Sequence, residues 1–210
     1  LAPYLEYLKG QLRPNNVDVR TKITVTAEKM RRMTPDAVVI ATGVADTSLD
    51  IPGMDKPFVA PARDVLGGKK MASKVVIIGG GLIGCETAEY LHKQGRQVTI
   101  IEMLDDIAEK MVYAQKTMLE ARLKAAGIKI ITGARSKEII DTGVIVITEG
   151  GERTHVEAGS VVIAVGDRPN NELEAKLKGI AGKIFTAGDC VKPEGIAEAV
   201  AAGHVAALSI

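Results

Sequence analysis

Apolar and polar residues follow two periods along this chain, and their succession outlines an architecture. Residues 2–14, APYLEYLKGQLRP, carry apolar side chains at helical spacing and end on Pro14, which predicts a short helix. VDVR (17–20) and KITVT (22–26) alternate as strands do, and DAVVIATG (36–43) is a continuous apolar run halted by glycine, the pattern of a buried strand. Residues 46–70 are rich in Pro and Gly and predict a linker. A regular series follows: a buried strand at 74–79, a helix over 82–94 closed by Gly95, and a strand at 97–102. A longer helix over about 110–126 closed by Gly127 comes next, then the strand IKIIT (128–132). Between 135 and 157 the period shortens to two in RSKEII, GVIVITEG and ERTHVEA, which predicts an antiparallel meander. GSVVIAVG (159–166) and KIFTAGD (183–189) read as further strands. EGIAEAVAAGHVAALSI reads as a helix still running at Ile210, so the C-terminus is expected to be cut, and a start at Leu1 rather than Met points to a cut or a processed beginning.

Strands alternating with helices predict an α/β fold with a parallel sheet. DAVVIATG and GSVVIAVG are one device used twice, a buried strand ending in glycine, which suggests two related nucleotide-binding halves with the second inserted in the first. The expected division is 1–72, including a linker at 46–72, then a Rossmann-like domain with its meander at 73–165, then 166–210. Composition changes this picture little. Apolar residues are 46% of the 210, with two Phe, four Tyr and no Trp, so the cores must be aliphatic. A net charge of +1 gives no electrostatic reason to expect nucleic acid or a membrane surface as partner. The most apolar run, VVIIGGGLIG, is broken by glycines well short of the ~20 residues of a membrane span, and no signal peptide is evident. Cys85 and Cys190 stand far apart with no CxxC, which fits a reduced, cytoplasmic protein.

The densest chemistry lies between strand and helix at residues 79–84. Gly79, Gly81 and Gly84 form G-x-G-x-x-G, with Gly80, Leu82 and Ile83 between them. The first glycine permits a tight turn, the second lets backbone approach a pyrophosphate, and the third lets helix and strand pack closely. The helix start adds amide donors and a positive dipole. Glu102 ends the next strand at about the ~20-residue offset where a carboxylate accepts bonds from adenosine ribose hydroxyls. Its charge, followed by Met103, Leu104, Asp105 and Asp106 with no Arg or Lys before Lys110, favours NAD(H) over NADP(H). Glu86 either faces the nicotinamide side of the cleft or is a solvated first-turn acid. Asp189, after Gly188, either binds sugar or ribitol hydroxyls or caps the helix that follows. Cys190 is either redox-active or a buried structural thiol, and Cys85 is read as packing. His92, His155 and His204 lack metal-ligand spacing, so no metal is assigned, and no catalytic acid or base is named.

IATG (40–43), IPG (51–53), the fingerprint with Glu102, AVGDRPN (164–170) and FTAGDC (185–190) together resemble the two-dinucleotide-binding-domain flavoproteins, the pyridine nucleotide–disulfide oxidoreductase-like family. The resemblance spans nearly the whole chain. It implies that Asp189 binds the FAD ribitol and that the turns Ala41-Thr42-Gly43 and Ala164-Val165-Gly166 lie near cofactors, with Val165 departing from the threonine of the first copy. AGDC with the helix after it most resembles the C-terminal part of the NADH:flavin oxidoreductase group, which includes 2-enoate reductases and dienoyl-CoA reductases and is related to old yellow enzyme. That implies hydride transfer from nicotinamide C4 to flavin N5, then electrons passing through an iron–sulfur cluster to FMN in an upstream barrel. Neither the barrel nor four cluster cysteines are in this chain. The earlier FAD fingerprint of the family is missing too, so 1–72 and 166–210 are expected to be a partial FAD-binding domain, with FAD bound in a longer parent. The alternatives are a fragment of a disulfide-reductase or NADH-oxidase relative, or a non-catalytic NAD(H)-binding module.

Overall fold

A computed structural model describes residues 2–47 and 49–210. The chain divides into two units, Leu1–Gly43 with Pro169–Ile210, and Val44–Arg168. The first unit opens with helices α1 (Ala2–Leu12) and α2 (Ala27–Met33) and strand β1 (Ala37–Ile40). Thr26 caps α2 by accepting the Lys29 amide at 3.3 Å.

The second unit runs β2 (Val44–Asp46), β3 (Val59–Pro61), α3 (Ala62–Leu66), β4 (Lys74–Ile78), α4 (Leu82–Lys93), β5 (Gln97–Ile101), α5 (Tyr113–Ala125) and β6 (Lys129–Ile131). It continues with β7 (Ala134–Ile140), β8 (Gly143–Thr148), β9 (Arg153–Glu157), β10 (Ser160–Ile163) and β11 (Asp167–Pro169). Five strands pair in parallel in the order β3-β10-β4-β5-β6, while β7-β8-β9 form the antiparallel meander. The continuous apolar run of β4 is explained by cover on both faces. Val75 and Ile77 pack with Val65, Leu91, Leu119 and Leu123 on the helical side. Val76 and Ile78 pack with Ile139, Val144, Val146 and Val156 of the meander. The result is three layers, helices on a parallel sheet on a meander, a Rossmann-like α/β arrangement. Truncating a fully buried leucine here, such as Leu91 or Leu123, costs about 2–5 kcal/mol.

Returning to the first unit, the chain forms α6 (Glu172–Leu177), β12 (Lys183–Thr186), a single 3-10 turn at Gly188–Cys190, and α7 (Ile196–Leu208). β1 and β12 pair in parallel from Ala37↔Lys183 to Ile40↔Thr186. Their core is small: Met30, Ile40, Leu177 and Cys190, with Val38, Ile184 and Leu173 partly buried beside them.

Three expectations need correction. The stretch 46–72 is not a linker: Val59–Pro61 completes the parallel sheet beside β10, so the second unit runs from Val44 to Arg168 rather than 73–165. VDVR and KITVT belong to no strand, and Val17, Val19, Ile23 and Val25 stay exposed. The last helix does not run to Ile210 but stops at Leu208, with Ser209 as its cap.

Candidate functional site

Strand β4 ends at Ile78 and runs into Gly79, whose φ of +107° disfavours ordinary side chains. A Cβ there would lie 2.4 Å from the Ala164 carbonyl oxygen, and the Gly79 amide donates to Ile101 at 2.8 Å. The turn is therefore pressed between the ends of β5 and β10. At Gly84 a Cβ would come within 2.0 Å of the Gly79 carbonyl oxygen, so α4 starts in direct contact with the turn. Gly81, the N-cap, faces open space, and no side chain caps the helix. The first-turn amides of α4 thus stay open to an anion, with Leu82 and Ile83 exposed beside them.

Gly80 is the best-held residue of the turn. Its amide donates to Glu102 Oε2 at 2.6 Å, and its carbonyl accepts the Ala108 amide at 2.9 Å and the Cys85 thiol at 3.3 Å. Glu102 is only 9% exposed, and its Oε1 accepts the Leu104 amide at 2.9 Å. Met103, Leu104, Asp105 and Asp106 follow on the surface. Asp106 pairs with Lys116, whose hydrogen bond holds the Asp106 carboxyl below its usual range. That lysine lies ten residues on, outside the cation-free stretch that directly follows Glu102.

Glu86, one turn into α4, is exposed. Cys85 is wholly buried, and burial, followed by the charges of Glu89, Glu102 and Glu86, pushes its thiol up to about 12. It packs and donates a weak bond, as expected of a structural thiol.

Beside the fingerprint, Ile83 and Ala164 share in walling a pocket of about 460 Å³. Val59, Pro61, Leu66 and Ile163 make it apolar, while Thr47, Arg63 and Asp167 supply polar groups. Arg63 and Asp167 pair at 3.7 Å. Gly166, with φ +98°, also lines it, next to the partly buried Val165. More than half of its wall comes from 46–70, the stretch whose Pro and Gly content predicts a linker.

In the first unit, Ala41-Thr42-Gly43 is strapped by Asn170. The Thr42 hydroxyl donates to the Asn170 carbonyl, the Asn170 side-chain amide donates to Thr42 at 3.3 Å, and the Asn170 amide donates to Gly43 at 3.1 Å. Gly188 has φ +70°, and Asp189 accepts the Glu194 amide at 3.4 Å. The Cys190 thiol is buried and donates to the carbonyls of Ile40 and Ala187, both at 3.2 Å. The structure thus gathers Gly79–Gly84, Glu102 and the Val165-Gly166 turn in one unit, and Thr42, Gly43, Gly188 and Asp189 in the other. Among the described residues no cluster of three metal-ligating side chains occurs.

The model of the pyridine nucleotide-disulphide oxidoreductase family matches residues 6–205. The chain is 37% identical over 213 residues to an NADH oxidase of Thermoanaerobacter brockii, covering 99% of this chain and 33% of that protein. It is 31% identical over 210 residues to a cinnamate reductase of Clostridium sporogenes, covering 98% of this chain and 31% of that one. Among solved structures, a 2-naphthoyl-CoA reductase in complex with 2-naphthoyl-CoA superposes with a TM-score of 0.94 at 30% identity, over 100% of this chain and 32% of that chain. The chain spans about a third of the length of these relatives.

Proposed function

The chain belongs to the pyridine nucleotide-disulphide oxidoreductase family, and from that premise we propose that it is the NADH-oxidising, FAD-reducing module of a larger flavin oxidoreductase. The observation that carries this reading is the turn at Gly79–Gly84, open at Gly81 and backed by the buried Glu102 carboxylate. The residues fit a dinucleotide. Open amides at the start of α4 hold the pyrophosphate, and Glu102, with two amide bonds already made, keeps lone pairs for ribose hydroxyls. Ile83, Pro61 and Ile163 offer the nicotinamide ring a dry surface and exclude water from it. The bound cofactors supply the chemistry, hydride transfer from nicotinamide C4 to flavin N5. The protein's part is to hold and orient, and no side chain is assigned as acid or base.

NADH is favoured over NADPH because a 2′-phosphate would meet the Glu102 charge with Asp105 close by in sequence. In the first unit we place FAD contacts at Thr42, Gly43, Gly188 and Asp189. A partial FAD domain there is supported by exposed Val17, Val19 and Val39, apolar residues of strand-like pattern left open to solvent. Two named relatives act, by name, on cinnamate and on 2-naphthoyl-CoA, which supports a parent that reduces a conjugated acid or thioester. An upstream FMN and iron–sulfur barrel belongs to the same proposal, as does a cytoplasmic setting, which the two free buried thiols fit. Among the described residues no helix is long and apolar enough to cross a membrane.

The test is a fluorescence titration of the purified chain with NADH and with NADPH. A visible spectrum follows, taken after FAD is added and the excess removed. Saturable NADH binding at least tenfold tighter than NADPH is expected. No NADH binding would sink the proposal. A retained flavin band bleached by NADH would extend it to turnover by this chain, and a colourless protein would confine it to dinucleotide binding with the reaction in the parent.

A further inference from the structure

Neither backbone angle nor helix packing accounts for Gly80, and unlike Gly81 it does not face open space. Its φ is not positive, and it is an x position of G-x-G-x-x-G. What excludes a side chain is the segment after β5: a Cβ on Gly80 would lie 2.8 Å from Ile107 Cγ2, 3.0 Å from Glu102 Cβ and 3.2 Å from Glu102 Oε2. The same segment takes both hydrogen-bonding groups of the residue, the amide through Glu102 and the carbonyl through Ala108. Its two ends are buried, Glu102 at one and Ile107 with Ala108 at the other, while Met103–Asp106 between them are exposed. Ala108 adopts φ +46° to present its amide, a conformation costly for alanine. Glu102 is itself anchored, its amide donating to Ile131 at 2.8 Å and its carbonyl accepting from Ala134 at 2.9 Å.

We propose that Glu102–Ala108 is a latch on Gly80 that sets the pyrophosphate-binding turn in its working shape before a dinucleotide arrives. Glu102 then acts twice, directly on the ribose and, as a positioning residue, through Gly80 on the phosphates. The inference rests on the dinucleotide reading of this site. A turn already in shape spares the ligand the ordering it would otherwise impose, and affinity gains accordingly. Selectivity follows the same logic. A carboxylate held by two backbone amides cannot swing aside for a 2′-phosphate, and neutralising it releases the turn that the phosphates need. Removing Glu102 therefore weakens NADH without admitting NADPH.

The decisive experiment compares NADH with an NADH analogue lacking both adenosine ribose hydroxyls, on the 210-residue chain and on Glu102→Ala and Glu102→Gln. If Glu102 served the ribose alone, Glu102→Ala would leave affinity for the analogue unchanged. The latch predicts a loss of roughly tenfold or more for the analogue too, the scale of a lost buried charge-assisted hydrogen bond, with partial recovery in Glu102→Gln, which keeps one acceptor oxygen. Gly80→Ala approaches the latch from the other side. It should weaken NADH with Glu102 intact, and adding Ile107→Ala should recover part of the loss. Amide exchange at Gly80 in the ligand-free protein reads the latch with no cofactor present: protected in the parent chain, fast in Glu102→Ala. Unchanged analogue affinity in Glu102→Ala, or an unprotected Gly80 amide in the parent chain, overturns the proposal. Should the parent chain fail to bind NADH at all, the dinucleotide reading falls, and Gly80 exchange still decides whether the latch exists.

Discussion

Replacing Gly84 with alanine tests the fingerprint by geometry rather than by charge. Alanine has the higher helix propensity, by about 1 kcal/mol, so a helix free to adjust would gain. Here the new Cβ would sit 2.0 Å from the Gly79 carbonyl oxygen, and that gap must open by 1.4 Å, to 3.4 Å, before contact is ordinary. Neither side yields easily. Gly79 is held by its 2.8 Å bond to Ile101, and α4 buries Cys85, Ala88 and Leu91 against the sheet. Overpacking of this kind costs typically 1–3 kcal/mol. We therefore expect Gly84→Ala to lose about 0–2 kcal/mol net in urea unfolding followed by circular dichroism. Displacing the amide cradle by about an ångström should also weaken NADH more than tenfold, since misplacement on that scale is expensive for a positioned ligand. Gly143→Ala is the control. Its φ is +146° and its Cβ would lie 2.1 Å from the Val156 carbonyl oxygen, in the meander, so it should lose comparable stability while the folded protein keeps its NADH affinity. A Gly84→Ala protein as stable as the parent with unchanged affinity would refute the close-packing argument.

Other consequences follow from single side chains. Because burial pushes Cys85 up to about 12, its stabilising share is complete below the unfolded thiol range, about 8.5, and is lost as pH rises above it. Stability should fall more steeply between about pH 8.5 and 10 in the parent than in Cys85→Ala, by up to about 1.4 kcal/mol per pH unit, and a thiol reagent at about pH 8 should label neither cysteine until the chain unfolds. Arg122 grips Glu89 with bonds of 2.7 and 3.2 Å, and that hydrogen bond holds the carboxyl below its usual range. Its stabilising share is present above about pH 4.3 and lost on further acidification. Arg122→Ala should be slightly less stable than the unsubstituted chain near neutrality, and show a smaller further loss in acid urea titrations. Amides of residues 18–25, which belong to no strand, should exchange at nearly unprotected rates by mass spectrometry while those of β4 stay protected; equal protection would show a ladder the fold does not contain.

What could be read from the chain in advance depended on where each interaction closes. The turn at Gly79–Gly84 packs against the start of its own helix within a few residues, with Gly84 against Gly79, so its glycine spacing was legible in the sequence, and Glu102 by its offset from it. The continuous run of β4 likewise declares cover on both faces, whereas GVIVIT of β8, read as one stretch of an alternating meander, is buried at four successive positions. Strand β3 declares nothing. It is three residues ending in proline, and its identity comes from pairing with β10 a hundred residues later. The apolar pocket shares that dependence, as do the Lys116–Asp106 pair and the grip of Ala108 on Gly80. The converse failure is the more instructive. VDVR and KITVT have better strand character than VAP, yet they form no strand, with Val17, Val19, Ile23 and Val25 between 43% and 57% exposed. Strand propensity measures fit to a pleated, half-covered surface, and its stabilisation comes from cross-strand neighbours. A sequence shows which residues suit such a surface; only the fold supplies the neighbour, and β10 supplied one to Val59–Pro61 while nothing in the first unit supplied one to Val17–Val25.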